Sequence, residues 1–356
     1  MKNTRNIYKM TRTETTDVVI GRNLLYSIGV FLKRYKHTRY ILLSDETTKK
    51  LYAKNVIASL ERLGVPVHVF VLAEGEHNKN MENIVKILHF MLKNNFDKKS
   101  AVVALGGGVI GDVATTIAAL YHRGIDCVQV PSTLLAQIDS AYGGKGAVNI
   151  HEYKNMIGVI HHPVAVIVDM NLLKSLPREQ ILSGLGEVLK YAIILDKKLF
   201  KKLEGLKKID GELESIVRSC VGLKMKAIIQ DPQDVKNARV ALNFGHSLGH
   251  AVEITSHLTH GEAVAIGMTF AIKISRKINI ISEGQATRAL RLIKKFGLPQ
   301  TVSGINIKKV RKIMKKDKKN IGGRTRLVLL KEIGVVSVQE NIRDGIINKV
   351  LKEIIT

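Results

Sequence analysis

The chain has no tryptophan, only two cysteines, and an aromatic content of 5%. Cys127 and Cys220 sit in separate apolar segments with no C-x-x-C spacing. That excludes a disulfide framework and sets buried free thiols in a reducing compartment as the expectation. No run of about eighteen apolar residues occurs, so no membrane span is expected. The stretch from Met1 to Lys9 lacks the apolar core of a secretory signal, and a cytoplasmic location follows as the expectation. Acidic residues are also scarce: 31 Asp and Glu against 56 Lys and Arg, a formal net charge of +25. Such a charge attracts nucleic acid without specificity. The lysines, however, are spread over helix-like segments (201–208, 308–319), without aromatic interleaving or a nucleic-acid motif. The charge reads as solvated helix faces, some of it available to an anionic substrate, and no specific nucleic-acid partner is expected.

What is present is an ordinary globular composition, 45% hydrophobic and 24% charged over 356 residues, long enough for two domains. The first half alternates strand and helix signals. Strands are expected at 17–20, 40–44, 65–72, 101–105, 127–130 and 164–168, with helices near 22–34, 47–63, 80–96 and 110–121. This alternation predicts a mostly parallel, Rossmann-like α/β sheet covered on both faces. From about 171 onward helical periodicity takes over: 178–195, 197–207, 211–230, 244–257, 261–279, 283–296 and 307–316, with a short strand pair near 325–338. The expected division is 1–172 as an α/β domain and 173–356 as a mainly helical domain, with the ligand site in the cleft between them.

Three constellations carry chemistry. Asn243-Phe-Gly-His246-Ser-Leu-Gly-His250, followed by His260-Gly-Glu262, places three histidines at H-x3-H-x9-H. His246 and His250 share a helix face and His260 follows a break, which suits a metal site and an acid–base group, or else surface histidines at a helix start. Gly106-Gly-Gly-Val-Ile-Gly111-Asp112 follows a buried-strand run and opens a helix, so its amides can approach a pyrophosphate. Asp45, closing the 40–44 strand, is either a ribose ligand or a helix N-cap; Asp126, twenty residues after Gly106, begins a new strand and is set aside. Ser132 and Thr133 cap or bind a cofactor; Asp139 stands among apolar and small residues just ahead of the Gly143-Gly144-Lys145 turn, and that turn with Asn149, Lys154 and Asn155 outlines a phosphate pocket. Glu187 and Lys190 form either an i,i+3 salt bridge or, through Glu187, the third member of a His2Glu zinc set.

Taken together, the motifs GGGVIGD, PSTLLAQIDS, GGK, KN, GxGEVxK, LNFGHSxGHAxE and HGEAVAIGM, in that order, resemble the 3-dehydroquinate synthase family of sugar-phosphate cyclases. The resemblance runs from Gly21-Arg22 to the 317–319 region. It implies NAD, a divalent metal (zinc foremost, cobalt as the alternative) and a homodimer. The implied reaction turns 3-deoxy-D-arabino-heptulosonate 7-phosphate into 3-dehydroquinate and phosphate by transient oxidation, phosphate elimination, re-reduction and aldol closure. By motif it assigns Glu187, His246 and His260 to the metal and His250 to acid–base or phosphate work. Asp139, Lys145, Lys154, Asn155 and Lys190 fall in the pocket. Lys224, Arg239 and Asn243 lie near the substrate carboxylate and ring hydroxyls. Lys318, or its neighbour Lys319, is the late lysine, and Arg123 reaches the neighbouring subunit's substrate phosphate. Asp45, Glu76, Lys79, Gly107, Gly108, Asp112, Ser132 and Thr133 fit the NAD positions, with Asp139, Lys145 and Lys154 close by. The rival readings are a cyclase acting on a sugar phosphate without a carboxylate, such as sedoheptulose 7-phosphate, and a metal-dependent polyol dehydrogenase. The Lys224 and Arg239 pair favours an acid substrate.

Overall fold

The computed structural model describes residues 14–151, 153–234, 239–315 and 326–356. In the first half, β1 (Asp17–Gly21) leads through α1 (Ile28–Leu32) to β2 (Tyr40–Asp45). Then come α2 (Glu46–Thr48), α3 (Lys54–Glu61), β3 (Val67–Leu72), α4 (Met81–Lys93), β4 (Ala101–Gly106), α5 (Gly108–Leu120) and β5 (Asp126–Pro131). A hairpin of β6 (Lys145–Ile150) and β7 (Tyr153–Ile160) precedes β8 (Ala165–Asp169). Six strands form one sheet in the order β1-β8-β5-β4-β2-β3, and every pairing in it is parallel. The Rossmann-like expectation is therefore met. β4 and β8 are buried along their whole length, as a sheet covered on both faces requires.

Strand order reverses between β2 and β4: the chain goes outward to β3 and then crosses back. Open α/β sheets bind ligands at such a point, beyond the strands' carboxyl ends. Asp45 and Gly106 stand there. Asp126 lies at the opposite, amino end of β5, where its carboxylate pairs with His37 at 2.8 Å.

The second half is helical: α6 (Arg178–Ile194), α7 (Lys197–Gly205), α8 (Leu213–Gln230), α9 (His246–Thr255), α10 (His260–Lys277), α11 (Glu283–Lys295), α12 (Ile307–Lys315) and α13 (Asp344–Ile354). β9 (Arg326–Glu332) and β10 (Val335–Glu340) form the antiparallel pair. α10 is buried from Ala263 through Ile272, which makes it the central helix of this half. The largest apolar core joins Val166 and Val168 of β8 to α6, α9 and α10, so sheet and helices share one interior. No described helix is long and apolar enough to cross a membrane. Both cysteines are free and buried.

Three elements differ from the sequence expectation. The 22–34 segment is a 3-10 turn, a short α1 and a second 3-10 turn rather than one helix. The β6–β7 hairpin was not foreseen, because β7 is exposed almost throughout and carries no alternating pattern. α13 was not foreseen either, although Ile347, Val350, Leu351 and Ile354 give it a regular buried stripe.

Candidate active site

The centre of the site is set by how closely α6 and α10 cross. A Cβ on Gly186 would lie 2.4 Å from the Gly261 carbonyl oxygen, and one on Gly261 would lie 1.9 Å from the Ser183 carbonyl oxygen. Only glycine allows this backbone approach. Each glycine adjoins a polar residue, so the crossing carries Glu187 and His260 to one point. The start of α10 is fixed by the Glu262 carboxylate, which accepts from the Thr259 amide at 2.9 Å and its hydroxyl at 2.8 Å.

Glu187 is fully buried, and its Oε1 lies 3.5 Å from both His246 Nε2 and His260 Nε2. One ligand atom from each of the three residues falls within 4.8 Å of the others. Lys190 pairs with the other Glu187 oxygen, yet neither oxygen accepts a well-directed hydrogen bond. Burial opposes the Glu187 charge, but Lys190 and His260 outweigh it and hold the carboxyl below its usual range. The outer nitrogens of both imidazoles are engaged: His246 Nδ1 lies 3.1 Å from the Phe244 carbonyl, and His260 Nδ1 lies 2.9 Å from Glu253 Oε2. Nε2 of each ring therefore faces Glu187. Burial disfavours a charged His260, but the two carboxylates prevail and lift its pKa to about 10. Two inward imidazole nitrogens and a buried carboxylate whose oxygens accept no well-directed hydrogen bond are the donor set of a divalent metal with open positions. The residues present fit such an ion.

Around this centre lie further groups from the sequence reading. The His250 ring sits edge-on to His246, with centroids 5.2 Å apart. Lys190 is buried between Glu187 and Asp139. Burial opposes the charge on Asp139 as well, but Lys224 and Lys190 drive its pKa far below normal. Asp139 accepts hydrogen bonds from Lys224 Nζ and the Tyr191 hydroxyl, both at 2.5 Å. Arg239 is buried and donates to the Pro232 carbonyl at 2.9 Å. Asn243 closes the turn just ahead of α9. Lys145 pairs with Asp234 at 2.5 Å, and this turn needs Gly144 at φ +66, since a Cβ there would lie 2.6 Å from the His161 backbone.

The residues expected from the sequence to serve a dinucleotide collect on the sheet side. Gly107 caps α5 and Gly108 opens it, with Ser132 and Thr133 beside them at the end of β5. Lys79 is buried and meets Glu76 at 3.0 Å, Asp112 at 2.9 Å and Asn155 at 2.6 Å. Burial raises the Asp112 pKa to about 6 despite Lys79. The hairpin links the two clusters: Asn155 bonds Lys79, while its neighbour Lys154 lies 3.4 Å from Glu253. Asp45 takes the N-cap geometry, accepting from the Thr48 amide at 2.7 Å. Arg123 stands apart at the end of α5, exposed, with φ +63. Lys318 and Lys319 lie outside the described residues. Tyr191 and Glu253 were missed by sequence reasoning. Glu253 ends the motif LNFGHSxGHAxE, and that was the available signal.

Models of the 3-dehydroquinate synthase N-terminal and C-terminal domains match residues 69–183 and 184–320. The 3-dehydroquinate synthase of Streptococcus thermophilus is 37% identical over 336 residues, covering 91% of this chain and 93% of that protein. Among solved structures, 2-epi-5-epi-valiolone synthase from Streptomyces hygroscopicus, with NAD+ and Zn2+ bound, superimposes with a TM-score of 0.88 at 25% identity, covering 98% of this chain and 99% of that one. A 2-deoxy-scyllo-inosose synthase complexed with carbaglucose-6-phosphate, NAD+ and Co2+ gives 0.85 at 26% identity, covering 94% and 96%. Both structural neighbours are synthases of other names, so the fold alone leaves the substrate open, and the sequence match decides the family. The chain belongs to the 3-dehydroquinate synthase family.

Proposed function

We propose that this chain converts 3-deoxy-D-arabino-heptulosonate 7-phosphate to 3-dehydroquinate and phosphate, with Glu187, His246 and His260 holding the metal. The observation that carries the reading is the meeting of those three side chains with a belt of buried and half-buried cations. Lys190 and Lys224 are held in place by Glu187 and Asp139, and Arg239 is buried beside the Gly143-Gly144 turn. When bound, the metal supplies Lewis acidity toward substrate hydroxyls and NAD supplies a transient hydride acceptor. The protein's own groups position and neutralise. Lys224 and Arg239 receive the substrate carboxylate, with Asn243 near the ring hydroxyls. Lys145, Lys154 and Asn155 line the phosphate side. His250, next to the metal histidines but outside the ligand set, moves protons. Lys190 and Asp139 keep the centre close to neutral, so that charge developing on the substrate meets preorganised partners rather than water.

Asp45, Glu76, Lys79, Gly107, Gly108, Asp112, Ser132 and Thr133 serve NAD in this reading. The 1–172 half contributes the dinucleotide side and the 173–356 half the metal side. The reading favours a sugar-acid phosphate over a neutral sugar phosphate, because a neutral substrate leaves Lys224 and Arg239 without a carboxylate. The test is incubation of metal-loaded protein and NAD with the heptulosonate phosphate. Stoichiometric phosphate release without net NADH supports the cyclase reaction; accumulation of NADH supports a dehydrogenase and defeats the proposal.

The proposed assembly is a homodimer in which Arg123 reaches the neighbouring subunit's substrate phosphate. Residues His122, Arg123 and Gly124 hold φ values of 48, 63 and 125, an uncommon run for two non-glycine residues. No described residue pairs with the Arg123 guanidinium. Arg123→Ala is expected to raise KM about tenfold with metal content unchanged, the scale of one lost charge-assisted bond. An unchanged KM, or a monomer by sedimentation equilibrium, would contradict the arrangement.

A further inference from the structure

Glu253 stands beside the three-ligand cluster and has no part in the reaction described above. It lies on α9, two turns after His246, and its side chain is 24% exposed. Its Oε2 is 2.9 Å from His260 Nδ1 and its Oε1 is 3.4 Å from Lys154 Nζ.

His260 needs outside support. It is the first residue of α10, and the Thr259–Glu262 hydrogen bonds fix the backbone there without touching the imidazole. A ring at that corner can rotate about its side-chain bonds and can carry its hydrogen on either nitrogen. A carboxylate at Nδ1 settles both: it takes the Nδ1 hydrogen and turns the Nε2 lone pair inward. The orientation is visible in the placement of His260 Nε2 at 3.5 Å from Glu187. At His246 the same task falls to a backbone carbonyl, that of Phe244 at 3.1 Å. The two rings are thus oriented by different means. A carbonyl oxygen of the main chain cannot be removed by substitution, whereas a side chain can, which makes the His260 side open to experiment.

Lys154 adds a second constraint. It comes from β7, and its neighbour Asn155 bonds Lys79 in the dinucleotide cluster. Glu253 is therefore gripped on both oxygens, by an imidazole from α10 and an ammonium from the hairpin, and its own rotation is limited.

We propose that Glu253 is a positioning residue for the metal: it holds the His260 ring in the orientation and tautomer that binding requires. This rests on reading Glu187, His246 and His260 as the ligands. The test is the cobalt(II) dissociation constant of the full-length metal-free protein without NAD, by competition with a chromophoric chelator. Glu253→Ala is expected to weaken binding about 10- to 100-fold, the usual cost of losing an outer-shell partner. Glu253→Gln, whose amide oxygen still accepts from Nδ1, is expected to lose less, and it keeps the test open if the alanine variant does not fold. The visible bands of bound cobalt stay in their wild-type positions, since all three ligands remain. In a His260→Ala background, Glu253→Ala should cost under about threefold, because the ring it serves is gone. An affinity within about threefold of wild type for both Glu253 variants overturns the proposal, as does an equal cost in both backgrounds, the mark of a purely structural role. If His260→Ala itself leaves cobalt affinity unchanged, the ligand reading has failed and the proposal falls with it. If His260→Ala weakens binding and Glu253 substitution does not, only the proposal falls.

Discussion

Glu187→Gln is expected to remove metal binding and activity together. The carboxylate is the single anionic donor of the three-ligand set, and both its oxygens are buried without a well-directed hydrogen bond. An amide of the same shape offers one neutral oxygen and turns an N–H toward the imidazoles. A Lewis acid is worth several kcal/mol of transition-state stabilisation, and about 4 kcal/mol corresponds to about a thousandfold in turnover. The substitution also deprives Lys190 of its partner, and Lys190 is only 1% exposed. Breaking a buried pair costs about 3–5 kcal/mol when the remaining charge has no other partner. Here Asp139 still faces Lys190, so the folded state should persist at a lower melting temperature. The decisive readout is therefore metal content per folded protein, with far-ultraviolet circular dichroism as the control for folding. A folded Glu187→Gln protein that keeps one metal per chain and full activity would refute the assignment.

Gly261→Ala is expected to damage the site without altering any polar group. Its new Cβ would lie 1.9 Å from the Ser183 carbonyl oxygen, a main-chain atom that cannot rotate away. The crossing of α6 and α10 must open instead. Overpacking of this kind costs about 1–3 kcal/mol. Opening the crossing also separates Glu187 from His260, because each sits next to a contacting glycine. Stability and metal affinity should fall together, the latter at least about tenfold, a scale set by the sensitivity of metal ligands to small loss of positioning. Denaturant midpoints and cobalt titration check the two effects. A variant that loses stability but binds metal as tightly as wild type would show that the glycine contact does not set the ligand geometry.

These effects explain what could be read from the sequence and what could not. The parallel sheet was legible because its strands are short, buried, β-branched runs bounded by glycine or polar turns, Ala101–Gly106 above all. His246, His250 and His260 were legible because their spacing is a helix repeat followed by a break. Glu187 was not decided by spacing. A carboxylate three residues before a lysine reads equally as an ion pair, and the structure does pair it with Lys190 while also turning it toward two imidazoles. Asp45 shows the same ambiguity: it stands at the switch point of the sheet, yet its carboxylate caps α2. Glu253 and Tyr191 were silent because their roles exist only between helices, where no local pattern reports them. The β6–β7 hairpin was silent because its exposed second strand has no buried face to impose alternation.

The account stands on three side chains from α6, α9 and α10 sharing one ion next to the dinucleotide cleft. Anomalous diffraction at the zinc edge, on crystals of the zinc-loaded protein with NAD, tests that directly. The account predicts one strong peak about 2.0–2.2 Å from a Glu187 oxygen and from Nε2 of both His246 and His260. A peak elsewhere, or full zinc occupancy with any of these three side chains turned away from the ion, would contradict it.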